Sequence, residues 1–146
     1  MGRILVTGSR GLIGSALVRA LARDGHEPVH YDIAADRRQD VTDPHALAHA
    51  MVGCSGIVHL AGVSRVVWGE RDPAHCRRVN INGTRNVLTA AAKAVGTSPW
   101  VLFGSSREVY GQAVHLPVLE SAPSAPLNCY ARSKTEAESL VRAARC

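Results

Sequence analysis

The sequence has little that would staple, anchor or thread it. Its four cysteines, Cys54, Cys76, Cys129 and Cys146, are widely and unevenly spaced with no CxxC pair, so neither a compact disulfide framework nor a cysteine-paired metal site is encoded. No apolar run approaches the roughly 20 residues that a membrane span needs. Nothing resembling a secretory apolar region precedes the first structured segment, and Val6 stands where a myristoylation signal carries a hydroxyl. These absences lead to the expectation of a reducing, cytoplasmic setting with no membrane partner. Aromatic residues number six, too few for a base-stacking track. The basic excess, +5 with histidines neutral, comes from 15 arginines and only two lysines, mostly single, with the pairs Arg37-Arg38 and Arg77-Arg78 far apart. That pattern is a solvated surface and not a nucleic-acid stripe.

What is present is the composition of one soluble domain: 146 residues, 46% apolar and 20% charged. A domain of this size buries roughly 70% of its unfolded surface and needs no staple. Four short apolar runs recur, Ile4 to Thr7, Val29 to Asp32, Ile57 to Leu60 and Trp100 to Phe103, and between them lie segments long enough for helices. Continuous Val, Ile and Leu without polar alternation suits strands covered on both faces, and strand-helix alternation then implies a parallel sheet with right-handed crossovers. The predicted fold is α/β, a doubly wound parallel sheet of about four strands. Leu12 to Arg23 has helical spacing before Gly25; Asp43-Pro44 opens a second helix, and Asp72-Pro73 opens a third that runs to Val95 and stops near Gly96. Three of the seven prolines fall between Gln112 and Leu127, which reads as loop, and Asn128 caps a last helix running to the end. With no strand after it, the fourth strand is expected at an open apolar edge, of the kind that proteins cover with a partner, a second copy or further chain.

The first strand runs directly into Thr7-Gly8-Ser9-Arg10-Gly11-Leu12-Ile13-Gly14 and then into a helix, the context of a turn that cradles a phosphate. Gly8 permits the tight turn, Gly11 lets a diphosphate approach the backbone, and Gly14 allows close helix packing while the helix N-terminus faces the anion. The same glycines could be purely geometric. Asp32, at the end of the second strand, sits where a carboxylate accepts hydrogen bonds from an adenine ribose and repels a 2′-phosphate, which favours NAD over NADP. Arg10, Arg37 and Arg38 are the residues that would serve a 2′-phosphate instead. Tyr130 and Lys134 lie four apart and project from one helix face. A phenol ordinarily titrates near 10, so a tyrosine acting as a base near neutrality needs roughly 4 kcal/mol of help, of a kind that a neighbouring ammonium supplies. His45 and His49 share the same spacing but no third ligand joins them, so no metal site is assigned. With no GxSxG elbow, a serine hydrolase is not indicated.

Taken in order, these residues resemble extended short-chain dehydrogenase/reductases, in particular NAD-dependent sugar-nucleotide epimerases and dehydratases. The resemblance implies a Rossmann-type domain over residues 1–146, with TGSRGLIG as its diphosphate loop, Leu12 and Ile13 included, and Asp40-Val41 as an adenine contact. It makes His59-Leu60-Ala61-Gly62 the turn against the cofactor and matches Asn80, in NING, to the family's helix asparagine. SSREVYG, Ser105 to Gly111, resembles the strand-four exit, where Ser106 would hydrogen-bond the reacting substrate oxygen. Tyr130 and Lys134 match the family's YxxxK pair. The implied substrate is a nucleotide sugar, oxidised and reduced through a keto intermediate.

Two departures from the family pattern shape the expectation. Arg107 and Glu108 stand where 4,6-dehydratases place an Asp and a Glu, which ranks epimerase or simple dehydrogenase first, decarboxylase next and dehydratase lower. The family's second, substrate-gripping half is absent from the 146 residues, so the alternatives are a non-catalytic NAD-binding or partner-docking module, or one half of a split enzyme.

Overall fold

The four apolar runs become four parallel strands in the computed structural model, which describes residues 1–96, 98–113 and 115–144. They are β1 (Arg3–Thr7), β2 (Glu27–Tyr31), β3 (Gly56–His59) and β4 (Trp100–Phe103), in the order β2-β1-β3-β4. Thr7 is level with both Tyr31 and His59, and His59 with Phe103, so the strands end together at one rim of the sheet. The chain leaves β1 towards β2 on one side and returns past β1 to β3 on the other. The crevice between the ends of β1 and β3 is therefore the topological switch point, where doubly wound sheets bind ligands.

Alternation along the strands divides the core in two. Ile4, Val6 and Val58 face α1 (Leu12–Arg23) and pack with Val18, Leu17 and Leu21. Leu5 and Ile57 face the opposite layer, where Leu47 of α2 (Pro44–Ala50) and Val87 of α5 (Gly83–Ala92) are fully buried. The expectation of strands covered on both faces holds for β1 and β3 but not for the edges. In β2 only Tyr31 is buried, and β4 has Trp100 and Leu102 about half exposed. Both of the latter lie in register with Gly56 and Val58, on the α1 side of the sheet, whereas α1 itself packs on β1 and β2. Gly56 is required there, because a Cβ would lie 2.1 Å from the Trp100 ring.

The helix expected from Asp72-Pro73 to Val95 forms in three pieces and ends earlier. α4 (Pro73–Arg77) starts where the Asp72 carboxylate accepts from His75 N at 2.9 Å. A π-helical turn (Arg78–Asn82) follows, and α5 continues to Ala92, with Lys93 as its C-cap. The extra residue of such a turn re-aims the side chains around it. A short helix that the sequence reading did not anticipate, α3 (Val66–Arg71), precedes α4; it has no side-chain cap and a buried glycine, Gly69, in its middle. After β4 come a 3-10 turn (Arg107–Tyr110) and α6 (Cys129–Ala143), with Ala144 as its C-cap. The expected run to the end of the chain is not seen: the helix stops at Ala143, where the extended backbone of Ala144 breaks it. No described helix is long and apolar enough to cross a membrane, and Cys54, Cys76 and Cys129 are free thiols.

Candidate functional site

A cleft of about 610 Å³ opens at the switch point, within the size range of cofactor sites. Its floor is the turn after β1. Gly8 has φ +71°, and a Cβ there would lie 2.7 Å from Ala61 N, so only glycine fits between the ends of β1 and β3. A Cβ on Gly14 would lie 2.1 Å from the Gly8 carbonyl oxygen, which is what lets α1 begin directly against the loop. Leu12 and Ile13, the first two residues of α1, are 90% and 68% exposed on the cleft side of that turn. Ser9 Oγ, in the same loop, is the one buried side-chain polar atom without a partner among the described residues. A glycine floor with amides at a helix N-terminus suits a dinucleotide diphosphate, so the residues present fit the cofactor that the sequence implies.

One wall is the turn after β2. Asp32 follows the strand, and its carboxylate accepts Arg10 N on one oxygen and Ala34 N on the other, both at 2.8 Å. Each oxygen keeps a lone pair for a hydroxyl, and the first bond ties the phosphate loop to the β2 exit. Gln39 Oε1 accepts Asp32 N at 2.9 Å, bringing Asp40 and Val41 to the same wall. Tyr31 backs it, donating its hydroxyl to Asp40 O at 2.9 Å; burial, with the carboxylates of Asp43 and Asp40, pushes that phenol up. Arg38 is committed to Asp36 at 2.8 Å, while Arg10 and Arg37 are exposed and make no ion pair among the described residues.

The opposite wall carries Leu60, Ala61 and Gly62, then Tyr130 and Lys134. α6 is held by three groups at its start. Asn128 Oδ1 accepts Ala131 N at 2.7 Å, Asn128 Nδ2 donates to Glu108 Oε2 at 3.1 Å, and Glu70 accepts Cys129 N at 2.6 Å. Tyr130 is therefore in a fixed first turn, 7% exposed, and Lys134 one turn on is 5% exposed. Lys134 Nζ donates to Gly104 O at 2.8 Å and stands 4.7 Å over the Phe103 ring. Burial brings its pKa down to about 8, with the Cys76 thiol opposing. The wall thus presents a phenol and a buried ammonium one helical turn apart.

The structure thus brings to one cleft Gly8, Gly11, Leu12, Ile13, Gly14, Asp32, Asp40, Val41, Leu60, Ala61, Gly62, Tyr130 and Lys134. Three expected site residues lie off its wall. Arg10 contributes its backbone amide to Asp32 and points its side chain to solvent. Ser106 Oγ accepts Glu108 N at 3.2 Å, starting the 3-10 turn, while its neighbour Ser105 borders the cleft and donates to Glu138. Asn80 is buried: it receives Val63 N at 2.8 Å and donates to Val63 O at 3.1 Å and Ser133 Oγ at 2.8 Å, clamping the loop after β3 against α6. Glu108 also lies off the wall, paired with Arg107 at 2.7 Å. Residues not anticipated include Ile33 and Gln39 beside Asp32, and Val63 to Arg65 after the β3 turn. Gln39 could have been noticed as a polar residue between Asp32 and Asp40; the others carry no local signal.

The profile of the "NAD dependent epimerase/dehydratase family" matches residues 4–146. GDP-6-deoxy-D-mannose reductase of Pseudomonas aeruginosa is 38% identical over 141 residues, which is 94% of this chain and 45% of that protein. UDP-glucose 4-epimerase of Rhizobium meliloti is 32% identical over 152 residues, 95% of this chain and 46% of that protein. Among solved structures, UDP-glucose 4-epimerase from Brucella ovis in complex with NAD superposes with a TM-score of 0.89 at 30% identity, covering 97% of this chain and 47% of that one. RMD from Pseudomonas aeruginosa complexed with NADPH gives 0.79 at 36% identity, covering 96% and 47%. The chain spans a little under half the length of the relatives it matches.

Proposed function

The chain belongs to the NAD dependent epimerase/dehydratase family, and on that premise we propose that its cleft binds NAD and supports hydride exchange with a nucleotide-linked sugar. The observation that carries this reading is the meeting, in one cleft, of the glycine floor at Gly8 and Gly14 with Tyr130 and Lys134 on the facing wall. When bound, the nicotinamide supplies the hydride acceptor and donor. Asp32 accepts the ribose hydroxyls through the lone pairs that Arg10 N and Ala34 N leave free, and with Arg38 committed to Asp36 this favours NAD over NADP. The backbone at Gly11, Leu12 and Ile13 receives the diphosphate. Asp40 and Val41 border the adenine, and Leu60, Ala61 and Gly62 close the opposite side.

Tyr130 takes the proton from the sugar hydroxyl as the carbon gives up its hydride. Lys134 stabilises the resulting phenolate, and Ser106, off the cleft wall here but with its hydroxyl proton unused by the Glu108 amide, is assigned to donate to the sugar oxygen. Return of the hydride to the keto carbon with the proton from Tyr130 completes an epimerase cycle, whereas release of the keto sugar with the reduced nicotinamide is the outcome of a simple dehydrogenase. Glu108 is tied to Arg107 and Asn128, which sets a decarboxylase or dehydratase lower. The test is incubation of the chain and NAD with UDP- and GDP-hexoses, reading NADH formation for a dehydrogenase and appearance of the epimeric nucleotide sugar for an epimerase, which regenerates NAD. Turnover that Tyr130→Phe removes, by at least 10²-fold, supports the reading, and equal turnover in the variant refutes it.

A second reading draws on the half-exposed Trp100 and Leu102 on the face that α1 leaves open. There the chain is a dinucleotide module whose β4 edge takes a second copy or a companion polypeptide. Light scattering with hydrogen exchange at β4 decides it: a monomer with unprotected β4 amides removes that reading.

A further inference from the structure

The buried polar groups behind the cleft form a chain that the cofactor contacts do not use. His59 is 1% exposed, with Thr7 and Thr84 at 0% on either side. His59 Nδ1 lies 2.7 Å from Thr7 Oγ1 and Nε2 lies 3.1 Å from Thr84 Oγ1. The direction of each bond follows by elimination. The single Thr84 hydroxyl proton goes to Asn80 O at 2.6 Å, so Thr84 Oγ1 accepts from His59, and the imidazole carries its proton on Nε2. Nδ1 is then an acceptor, and the Thr7 hydroxyl donates to it. Thr7 Oγ1 accepts in turn from Leu60 N and Ala61 N, both at 3.2 Å, which uses its two lone pairs; Leu60 N is shared with Thr7 O at 3.1 Å, whereas Ala61 N has Oγ1 alone. A protonated ring would leave Thr7 Oγ1 with three donors and none to give to; burial and the Lys134 charge keep His59 neutral, with a pKa lowered to about 3.

The Leu60-Ala61 peptide held in this way is the one against which Gly8 packs without room for a Cβ. A rotated Thr7 hydroxyl would release the Ala61 amide, with Leu60 N still held by Thr7 O at 3.1 Å, at the contact that sets the height of the phosphate loop. At its other end the chain reaches Asn80, which clamps Val63 and Ser133, the residue before Lys134. The π-helical turn over Arg78–Asn82 puts Asn80 and Thr84 where both bonds can form.

We propose that His59 is a positioning residue of the dinucleotide site: as an Nε2–H imidazole it fixes the Thr7 hydroxyl, and through it the Ala61 amide, against the Gly8 turn. The inference rests on the reading of the cleft as an NAD site. The two ring nitrogens can be replaced separately. Asn places an oxygen near Nδ1 and keeps the acceptor for Thr7, whereas Gln places an amide near Nε2, keeps the donor for Thr84 and deprives Thr7.

The experiment is hydrogen exchange by NMR on the wild-type chain, His59→Asn and His59→Gln, with the wild-type tautomer read from the imidazole nitrogen shifts and NAD titrated into each. The expected result is an Nε2–H ring, the Ala61 amide exchanging about tenfold faster in His59→Gln than in His59→Asn while the Leu60 amide, held also by Thr7 O, changes less, and a similar factor in NAD affinity. Two polar residues that merely fill the site would exchange alike, and that equality would overturn the proposal. An Nδ1–H ring in the wild-type protein would overturn it whether or not either variant folds. No NAD binding by the wild-type chain refutes the cofactor reading instead, while the exchange comparison still decides the relay.

Discussion

Replacing Lys134 by methionine should make the chain more stable near neutrality while removing its chemistry. The ammonium is 5% exposed and its pKa falls from 10.5 to about 8, with burial as the main cause. At about 1.36 kcal/mol per pH unit, that difference is roughly 3 kcal/mol between the folded and unfolded chain. Between pH 8 and 10.5 the unfolded chain still holds the proton that the folded chain has released. Stability therefore rises with pH through that window, and below pH 8 the whole amount is missing. Methionine fills the same space without the charge but gives up the bond to Gly104 O, for which about 1 kcal/mol is subtracted. The variant should thus be roughly 1–2 kcal/mol more stable at pH 7. Urea unfolding of both proteins at pH 7, 8.5 and 10 gives the difference directly, and other titrating groups cancel in it. The wild-type chain should overtake the variant as the pH rises. A difference that stays constant from pH 7 to 10, or a methionine variant already less stable at pH 7, would refute the burial argument.

Other outcomes follow from single contacts. Gly14→Ala puts a Cβ 2.1 Å from the Gly8 carbonyl oxygen, so NAD binding should be lost and the thermal midpoint should fall together; unchanged binding would show that the loop yields. Asp43→Ala removes the cap that accepts His45 N and Ala46 N, which should lower stability by about 1 kcal/mol in urea unfolding while leaving NAD affinity alone, since α2 does not border the cleft.

Much of the fold was legible because it is written in local patterns. The β1 run, the glycine turn and Leu12 to Arg23 lie where the sequence puts them, and β4 is at the edge with Trp100 and Leu102 half exposed. Asp43-Pro44 and Asn128 are caps whose carboxylate or amide oxygen accepts the expected amides. Less legible was whatever depends on distant partners. A π-helical turn has no composition of its own; Asn80 earns its place only through Val63 and Ser133. α3 lacks a capping side chain and stands by packing Gly69 against Tyr130. The same contrast holds in the site. The Gly8-to-Gly14 turn and the Tyr130–Lys134 spacing are sequence signals, but the tie between Asp32 and Arg10 N and the burial of Lys134 are tertiary facts.

The central claim, that the cleft between β1 and β3 is an NAD site, is tested most directly by calorimetric titration of NAD and of NADP into the wild-type chain and into Asp32→Ala. The account predicts saturable NAD binding with one site per chain, weaker NADP binding, and a loss of the preference for NAD in the variant as the ribose acceptor disappears. A folded wild-type chain that takes up neither nucleotide would contradict it.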